Sequence, residues 1–317
     1  MTTTKQSQVF YGLAAVLLLV YLFRLFNDNH VYGGWLLAGM FVSLAIAFRS
    51  SKLLRGLSFT VIIFATTALA MYHPDYFSEW GGFKLSELII PLIQLIMFGM
   101  GTAMSVKDFA AVFKSPKGVL VGVLSQFMIM PLLGFTLATV TDFPPEIAAG
   151  IVLIGCSPSG LASNVMSYLA KANLALSITL TSISTLLAPF VTPVLMKMLA
   201  GTMVPIDVLE MMWDIIKMII LPIGAGLLFN KLLKGKSRWL DDAMPLVSMF
   251  GIAFIITIIT AAGRDSLLKI GPALIGVVLI HNSFGYLLGY WSCRLLKMSE
   301  SDCRTIAIEV GMQNAGL

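Results

Sequence analysis

Near its end the chain reads Glu309-Val310-Gly311-Met312-Gln313-Asn314-Ala315-Gly316-Leu317, after the apolar approach Thr305-Ile306-Ala307-Ile308. One carboxylate and two carboxamides therefore stand in a segment that is otherwise hydrophobic enough to enter a bilayer. An ionisable group inside a membrane costs roughly 2.5–3.5 kcal/mol on insertion scales, so such groups are rare and tend to be functional. Glu309 is the first candidate for a binding-site residue.

A second polar stretch interrupts an apolar segment half a chain earlier: Cys156-Ser157-Pro158-Ser159-Gly160-Leu161-Ala162-Ser163-Asn164. Because Pro158 lacks an amide hydrogen and its neighbours are weak helix formers, we expect the segment 147–169 to split into two half-helices. Two interrupted segments in corresponding places are typical of a transporter's binding site. Taken alone, this stretch is also compatible with a proline kink that lets helices pack closely.

The composition of the whole chain is that of a membrane protein. Of 317 residues, 58% are hydrophobic and 12% charged, against about 25% charged in soluble domains, and the mean hydropathy is +0.91. In a soluble protein the net charge of +5 would suggest nucleic acid, but here we assign it to cytoplasmic loops and expect no nucleic-acid partner. The three cysteines have no paired spacing, so neither a disulfide framework nor a zinc site is predicted: Cys156, Cys293, Cys303.

Several segments are long enough to cross a bilayer, which takes about 20 helical residues. We predict complete spans at 9–27, 31–48, 57–73, 86–105, 118–140, 147–169, 174–199, 206–230, 244–263 and 270–293, and a further one that begins at about residue 303. The short connections leave no room for a soluble domain. The lipid bilayer is therefore the expected surrounding of nearly the whole chain.

Basic residues alternate between the loops and predict the orientation. Four lie in one set of loops (Lys84, Lys197, Arg264, Lys269), whereas fifteen lie in the other set and at the N-terminus: Lys5, Arg49, Lys52, Arg55, Lys107, Lys114, Lys117, Lys171, Lys231, Lys234, Lys236, Arg238, Arg294, Lys297 and Arg304. Because basic loops stay in the cytoplasm, we expect a multi-pass protein of the inner (plasma) membrane with a cytoplasmic N-terminus.

The polar residues within the spans favour a cation site. Hard cations take carboxylate, carboxamide, hydroxyl and carbonyl oxygens. One carboxylate among neutral oxygens suits a monovalent ion such as Na⁺ better than Ca²⁺. Each neutral residue also has a structural interpretation, since Gln126 could join two helices and hydroxyls often bond to their own helix. The candidates from the residues alone are Gln126, Ser163, Asn164, Ser177, Thr181, Glu309 and Gln313.

A family resemblance rests on five stretches: Phe98-Gly99-Met100-Gly101, Gln126-Phe127 with Met130-Pro131, the block from Gly155-Cys156 to Asn164-Val165-Met166, Ala175-Leu176-Ser177 through Thr181-Ser182, and Glu309-Val310-Gly311-Met312-Gln313-Asn314. At these positions the sequence resembles the bile acid:sodium symporter family, in particular its bacterial ten-span members. The resemblance covers about residues 57 to 317.

The resemblance implies an all-α inverted-repeat secondary transporter with panel and core domains and broken helices that cross at two Na⁺ sites. It divides the chain into two extra N-terminal spans (1–56), a first five-span repeat (57–199) and a second, incomplete repeat (200–317). The first Na⁺ site would use Ser163, Asn164, Ser177, Thr181 and Glu309. The second would use Gln126, Glu309, Gln313 and the carbonyl groups of Val310 and Met312.

The chain departs from the family pattern in three places. Residues 1–50 add two spans without changing the orientation of the rest. Leu161 stands where relatives often carry a hydroxyl residue beside the substrate, in a cavity that would also include Ala162, Asn164 and Asn314. The sequence stops within the fourth span of the second repeat, as a fragment or truncated chain would.

The leading functional prediction is sodium-coupled symport of an organic anion, such as a bile acid, a pantoate-like acid or a keto acid. The alternative is an arsenite-type efflux carrier of the same fold superfamily that uses Cys156. An enzyme is not expected, because two of the three histidines lie in loops (His30, His73) and no paired acids or metal-binding motif occur in the spans. No organic cofactor is expected either. The oligomeric state is not indicated by the sequence.

Overall fold

The structure, a computed structural model, describes residues 5–27, 32–51, 54–103, 116–160, 162–233 and 238–314. Helices dominate these ranges, and the strands described within them form one short antiparallel hairpin, Glu79–Trp80 with Phe83–Lys84. The helices in chain order are α1 Lys5–Phe26, α2 Gly33–Arg49, α3 Ser58–Tyr72, α4 Ile89–Ala103, α5 Pro116–Val140, α6 Pro145–Cys156, α7 Ala162–Leu169, α8 Leu174–Ala200, α9 Val208–Ile215, α10 Leu221–Leu233, α11 Arg238–Ala262, α12 Arg264–Leu295 and α13 Glu300–Gly311.

The predicted all-α polytopic architecture is confirmed. Within the described ranges, 7 helices are long and apolar enough to cross a membrane, and Gly33–Arg49, Pro145–Cys156 and Leu246–Ala262 form shorter apolar helices. The predicted span 206–230 contains a π-helical turn, Ile216–Ile220, between α9 and α10. Helix α12 is longer than the predicted span 270–293 because its polar first turn is helical as well.

The predicted break within 147–169 is confirmed. Helix α6 ends at Cys156, Ser157 has extended backbone angles (φ −74°, ψ 153°), and α7 begins at Ala162. A comparable end occurs in α13, where Met312 leaves the helix with φ −111° and ψ 97°. Both breaks coincide with polar sequence that contains glycine or proline, in which intrahelical hydrogen bonding is weakest.

The chain forms two compact units, residues 1–96 with 242–269 and residues 97–241 with 270–317. In the first unit α1 packs on α2, and α2 packs on α3. Glycine permits the second contact, because a Cβ at Gly33 would lie 2.5 Å from the Tyr72 ring. The predicted division into 1–56, 57–199 and 200–317 describes repeated segments of the chain, whereas these two units are defined by their compactness. The division into repeats therefore stays a prediction.

The second unit contains both broken helices. Helix α5 packs on α6, α8 and α13, and α8 also contacts α7 and α13. At Gly155 the backbones of α5 and α6 are so close that a Cβ would lie 2.4 Å from the carbonyl oxygen of Met130. This packing brings the polar residues of α5, α7, α8 and α13 to one place.

Candidate functional site

Two extended backbone segments cross at the centre of the site. Residues 157–160 follow α6 and residues 312–314 follow α13, and Ser159 pairs with Gln313 in an antiparallel bridge. The amide of Gly160 donates to the carbonyl of Met312, and the amide of Asn314 donates to the carbonyl of Pro158, both at 2.8 Å. Each break thereby supplies hydrogen-bond partners for the backbone groups of the other. Irregular backbone at membrane depth requires such partners.

The first cluster surrounds Glu309, whose side chain is almost completely buried, with 1% of its surface exposed. The hydroxyl groups of Ser163 and Ser177 donate to Oε1 at 2.6 and 2.5 Å, and that of Thr181 donates to Oε2 at 2.9 Å. The hydroxyl of Ser177 also lies 2.9 Å from Oδ1 of Asn164. All five side chains predicted for one ion therefore lie together.

The positions of the hydroxyl and carboxamide groups in this cluster follow from the local sequence of α7 and α8. Ser163 and Asn164 occupy the first turn of α7, directly after the break. Ser177 and Thr181 are one turn apart on α8 and so share a face of that helix. Helix α8 begins after Asn173, because the side chain of Asn173 caps the helix by accepting a hydrogen bond from the amide of Leu176.

The second cluster consists of carboxamides and backbone carbonyls. Nε2 of Gln126 donates to the carbonyl of Ser157 at 2.9 Å and to Oε1 of Gln313 at 2.7 Å. Nε2 of Gln313 donates in turn to the carbonyl of Val310 at 2.8 Å. Oε1 of Gln126 is buried and has no hydrogen-bond partner among the described residues.

The residues predicted for the second sodium site do not all belong to the same hydrogen-bond network. Gln126, Gln313 and Val310 share one hydrogen-bond network, whereas the carbonyl of Met312 accepts from the amide of Gly160 at the crossing. The three hydroxyl groups that donate to Glu309 at the distances given above belong to the first cluster. Its role as a ligand shared by two ions stays a prediction.

The predicted substrate residues lie along the crossing, apart from Leu161, which is outside the described residues. Ala162 is exposed, and Asn164 and Asn314 are half-buried. A cavity of about 430 Å³ adjoins the crossing and is lined in part by Met130, His281, Asn282, Gly311 and Gln313.

Two polar residues of this cavity, His281 and Asn282, both have partners. Nε2 of His281 lies 3.1 Å from the carbonyl of Met130, and Asn282 donates to the carbonyl of Gly311 at 2.5 Å. Sequence reasoning missed that Asn282 contacts the end of α13. No signal in the sequence pairs these two positions.

Cys156 is fully buried in an apolar cluster with Val152, Ile151 and Met196. Its carbonyl, rather than its thiol, faces a polar group, since the hydroxyl of Thr192 donates to it at 2.7 Å. Among the described residues no group of three or more His, Cys, Asp or Glu could hold a metal ion.

Comparison with known proteins identifies the family of the chain. A sequence model described as the Sodium Bile acid symporter family matches residues 90–270. The chain belongs to this family. Membership of the sodium bile acid symporter family places the chain among membrane transporters rather than enzymes.

Individual members of the sodium bile acid symporter family are similar over most of the chain. An uncharacterized sodium-dependent transporter, YocS, of Bacillus subtilis (strain 168) is 42% identical over 257 residues, which cover 81% of this chain and 78% of that protein. The probable chloroplastic sodium/metabolite cotransporters named BASS1 from Arabidopsis thaliana and Oryza sativa subsp. japonica are both 32% identical, over 71% and 82% of this chain. The matched regions span 56% and 63% of those two plant proteins.

Proposed function

We propose that the protein is a secondary transporter that couples Na⁺ entry to the uptake of an organic anion by alternating access. One observation carries this proposal: the buried carboxylate of Glu309 is surrounded by hydroxyl and carboxamide oxygens on α7 and α8. A carboxylate in a low-dielectric environment strongly favours a cation beside it. The names of the relatives, which include sodium-dependent and sodium/metabolite transport, support the same conclusion.

The first cluster fits a sodium ion as substrate. Each hydroxyl has one proton and two lone pairs, so Ser163, Ser177 and Thr181 can rotate and offer oxygen to a cation. With Oδ1 of Asn164 and the carboxylate of Glu309, the set supplies a single negative charge and otherwise neutral oxygens. This charge balance favours a monovalent ion over Ca²⁺, which usually recruits several carboxylates.

The second cluster is proposed as a second sodium site. Its strongest support is Oε1 of Gln126, a buried acceptor without a hydrogen-bond partner in the part of the chain that the structure describes. An unpaired buried acceptor costs about 1–3 kcal/mol, which a cation would offset. The carbonyls of Val310 and Met312 each have a second lone pair that could complete the ligand set.

Sodium binding would stabilise the arrangement in which the two breaks cross. The ions would join α5, α7, α8 and α13, which are separate elements of the second unit. An anion bound beside Ala162, Asn164 and Asn314 would then contact a rigid, positively charged surface. We place the N-terminus in the cytoplasm and the protein in the inner membrane, since basic loops favour that side.

The test is transport by the full chain in proteoliposomes with an inward sodium gradient. A panel of radioactive organic anions (a bile acid, a pantoate-like acid and a keto acid) is offered with Na⁺ or with K⁺. At least one anion should accumulate only with Na⁺, and Glu309→Gln should abolish that accumulation while the protein still inserts. Undiminished sodium-dependent uptake by Glu309→Gln, or uptake that is equal in K⁺, would refute the proposal.

A further inference from the structure

Three helices carry polar side chains at intervals of one helical turn, and these rows face one another. Residues three or four positions apart lie on the same helix face. The rows begin at the Glu309 cluster and continue toward the loop ends of the helices: Ser163 and Ser167 on α7, Thr181, Ser177 and Asn173 on α8, and Glu309, Thr305 and Asp302 on α13. The inner members form the sodium site proposed above.

The outer members form a second set of hydrogen bonds. Nδ2 of Asn173 donates to Oδ1 of Asp302, and its backbone amide donates to the hydroxyl of Thr305, both at 2.8 Å. That hydroxyl also lies 3.2 Å from the carbonyl of Asn173. We call these three residues, Asn173, Asp302 and Thr305, the outer latch.

One polar side chain of the α7 row, a turn beyond the Glu309 cluster, has no hydrogen-bond partner among the described residues. The side chain of Ser167 is fully buried, and its hydroxyl makes no hydrogen bond with any residue that the structure describes. It lies one turn beyond Ser163 on the same face of α7. Because an unpaired buried hydroxyl is destabilising, its presence suggests a ligand that visits this position.

Charge and burial change in one direction along the rows. Glu309 and Thr305 are buried, whereas Asn173 and Asp302 are half-buried. The nearest basic residue on α13, Arg304, pairs with Glu300 at 3.1 Å. Asp302 thus contributes a negative charge at the outer end, where it attracts a cation leaving the buried carboxylate.

We propose that the three rows form the path by which the sodium ion at Glu309 leaves toward the cytoplasm, with Ser167 as an intermediate ligand and the outer latch as a gate. Resting on the proposed function, this inference adds a route of release. The latch hydrogen bonds join the N-terminal end of α8 to the first two turns of α13. The gate opens when these bonds break, and it need not alter the five ligands of the bound ion.

A gate differs from a positioning contact in its kinetics. Opening a gate accelerates both entry and release of the ion, so the equilibrium affinity stays constant. A contact that only positions Glu309 would instead weaken the affinity when it is removed. The two rates and the equilibrium constant together therefore distinguish the two roles.

The experiment measures binding and dissociation of radioactive Na⁺ with the purified full chain. Loss of binding in Glu309→Gln is established first, because undiminished binding there would overturn the proposed site rather than the gate. Asp302→Ala should then release Na⁺ about tenfold faster, as expected for losing a hydrogen bond to a charged group, with its Kd within about twofold of the unaltered protein. The exchange Asn173→Asp with Asp302→Asn should restore slow release, since an aspartate still caps α8 and the asparagine can donate across the latch.

Ser167→Ala should act in the opposite direction and slow release about threefold without changing Kd, because it removes a neutral oxygen contact from the path. Ser182→Ala is the matched control, since the hydroxyl of Ser182 on α8 is buried and bonds to the carbonyl of Ile178 in its own helix. Unchanged release in Asp302→Ala, or a rise in its Kd that accounts for the faster release, would overturn the gate. Release that is unchanged or faster in Ser167→Ala would overturn the intermediate ligand.

Discussion

The two clusters at the crossing differ in charge and in how completely their polar atoms are paired. Glu309 gives the first cluster a full negative charge, and three hydroxyl groups already donate to it. The second cluster is neutral, and Oε1 of Gln126 has no described partner. The first can attract a cation over a distance, whereas the second depends on geometry. We infer that the first sets sodium affinity and the second ties sodium binding to the shape of the crossing.

The largest effect on this comparison is expected from Gln126→Leu. The change keeps the volume but removes the donor that joins the carbonyl of Ser157 to Gln313. Because both breaks lose their side-chain contact with α5, sodium-dependent uptake should fall about 100-fold, while radioactive Na⁺ binding at the first cluster stays within about threefold. With the two sodium sites proposed above, the number of ions bound at saturation should decrease from two to one.

Ser125→Ala provides the control for this variant. Ser125 precedes Gln126 on α5, and its hydroxyl bonds to that of Ser292 at 2.9 Å, outside both clusters. Uptake by this control should remain close to that of the unaltered protein. An equal loss of uptake in both variants would mean that removing any polar side chain from this part of α5 impairs the protein. The inference of a distinct role for Gln126 would then be wrong.

An intermediate effect is expected from Thr181→Val, which keeps the shape of the side chain and removes one hydroxyl from the carboxylate. The Thr181 hydroxyl would turn its oxygen toward a bound cation, and the loss of such a polar contact with a charged group costs about 1.5–3 kcal/mol, so sodium affinity should weaken by about tenfold or more. Thr185→Val is matched to it, since Thr185 is equally buried one turn later and bonds to the carbonyl of Thr181 at 2.7 Å. Sodium titration of uptake decides between them, and equal affinities in the two variants would count against the hydroxyl as a ligand.

The smallest effect is expected from Cys156→Ser. The thiol lies in an apolar cluster beside the crossing, and neither cluster uses it. Sodium-dependent uptake should stay within about twofold, because the substitution nearly conserves volume. Loss of transport, together with protection of cells against arsenite by the unaltered protein only, would favour the thiol-dependent carrier that the sequence left open.

Much of the first cluster could be predicted from residue type and local spacing. Pro158 and its neighbours predict the break. Ser177 and Thr181 are four residues apart, so they lie on the same face of a helix. A lone carboxylate in an apolar segment likewise identifies Glu309 without knowledge of the fold. These signals are local, and the structure agrees with them.

The remaining features depend on partners that are far apart in the sequence. The pairing of Ser159 with Gln313, the contact between Asn282 and Gly311, and the bond between Asn173 and Asp302 each need a three-dimensional neighbour. The π-helical turn Ile216–Ile220 has no hydropathy signal, because it changes the backbone register and not the residue types. A single sequence contains no information that pairs such positions.

The long separation between the two breaks has a consequence for biosynthesis. Ser163 and Glu309 are 146 residues apart, and at about 5–20 residues per second the ribosome needs roughly 7–30 s to make the chain between them. During that time the first break already resides in the membrane, and its free amide and carbonyl groups must form hydrogen bonds with water or with the insertion machinery. The crossing is thus a late event of assembly. An ion that binds only the assembled crossing also shifts this step forward by mass action, so a sufficient concentration of that ion would help newly made molecules to mature.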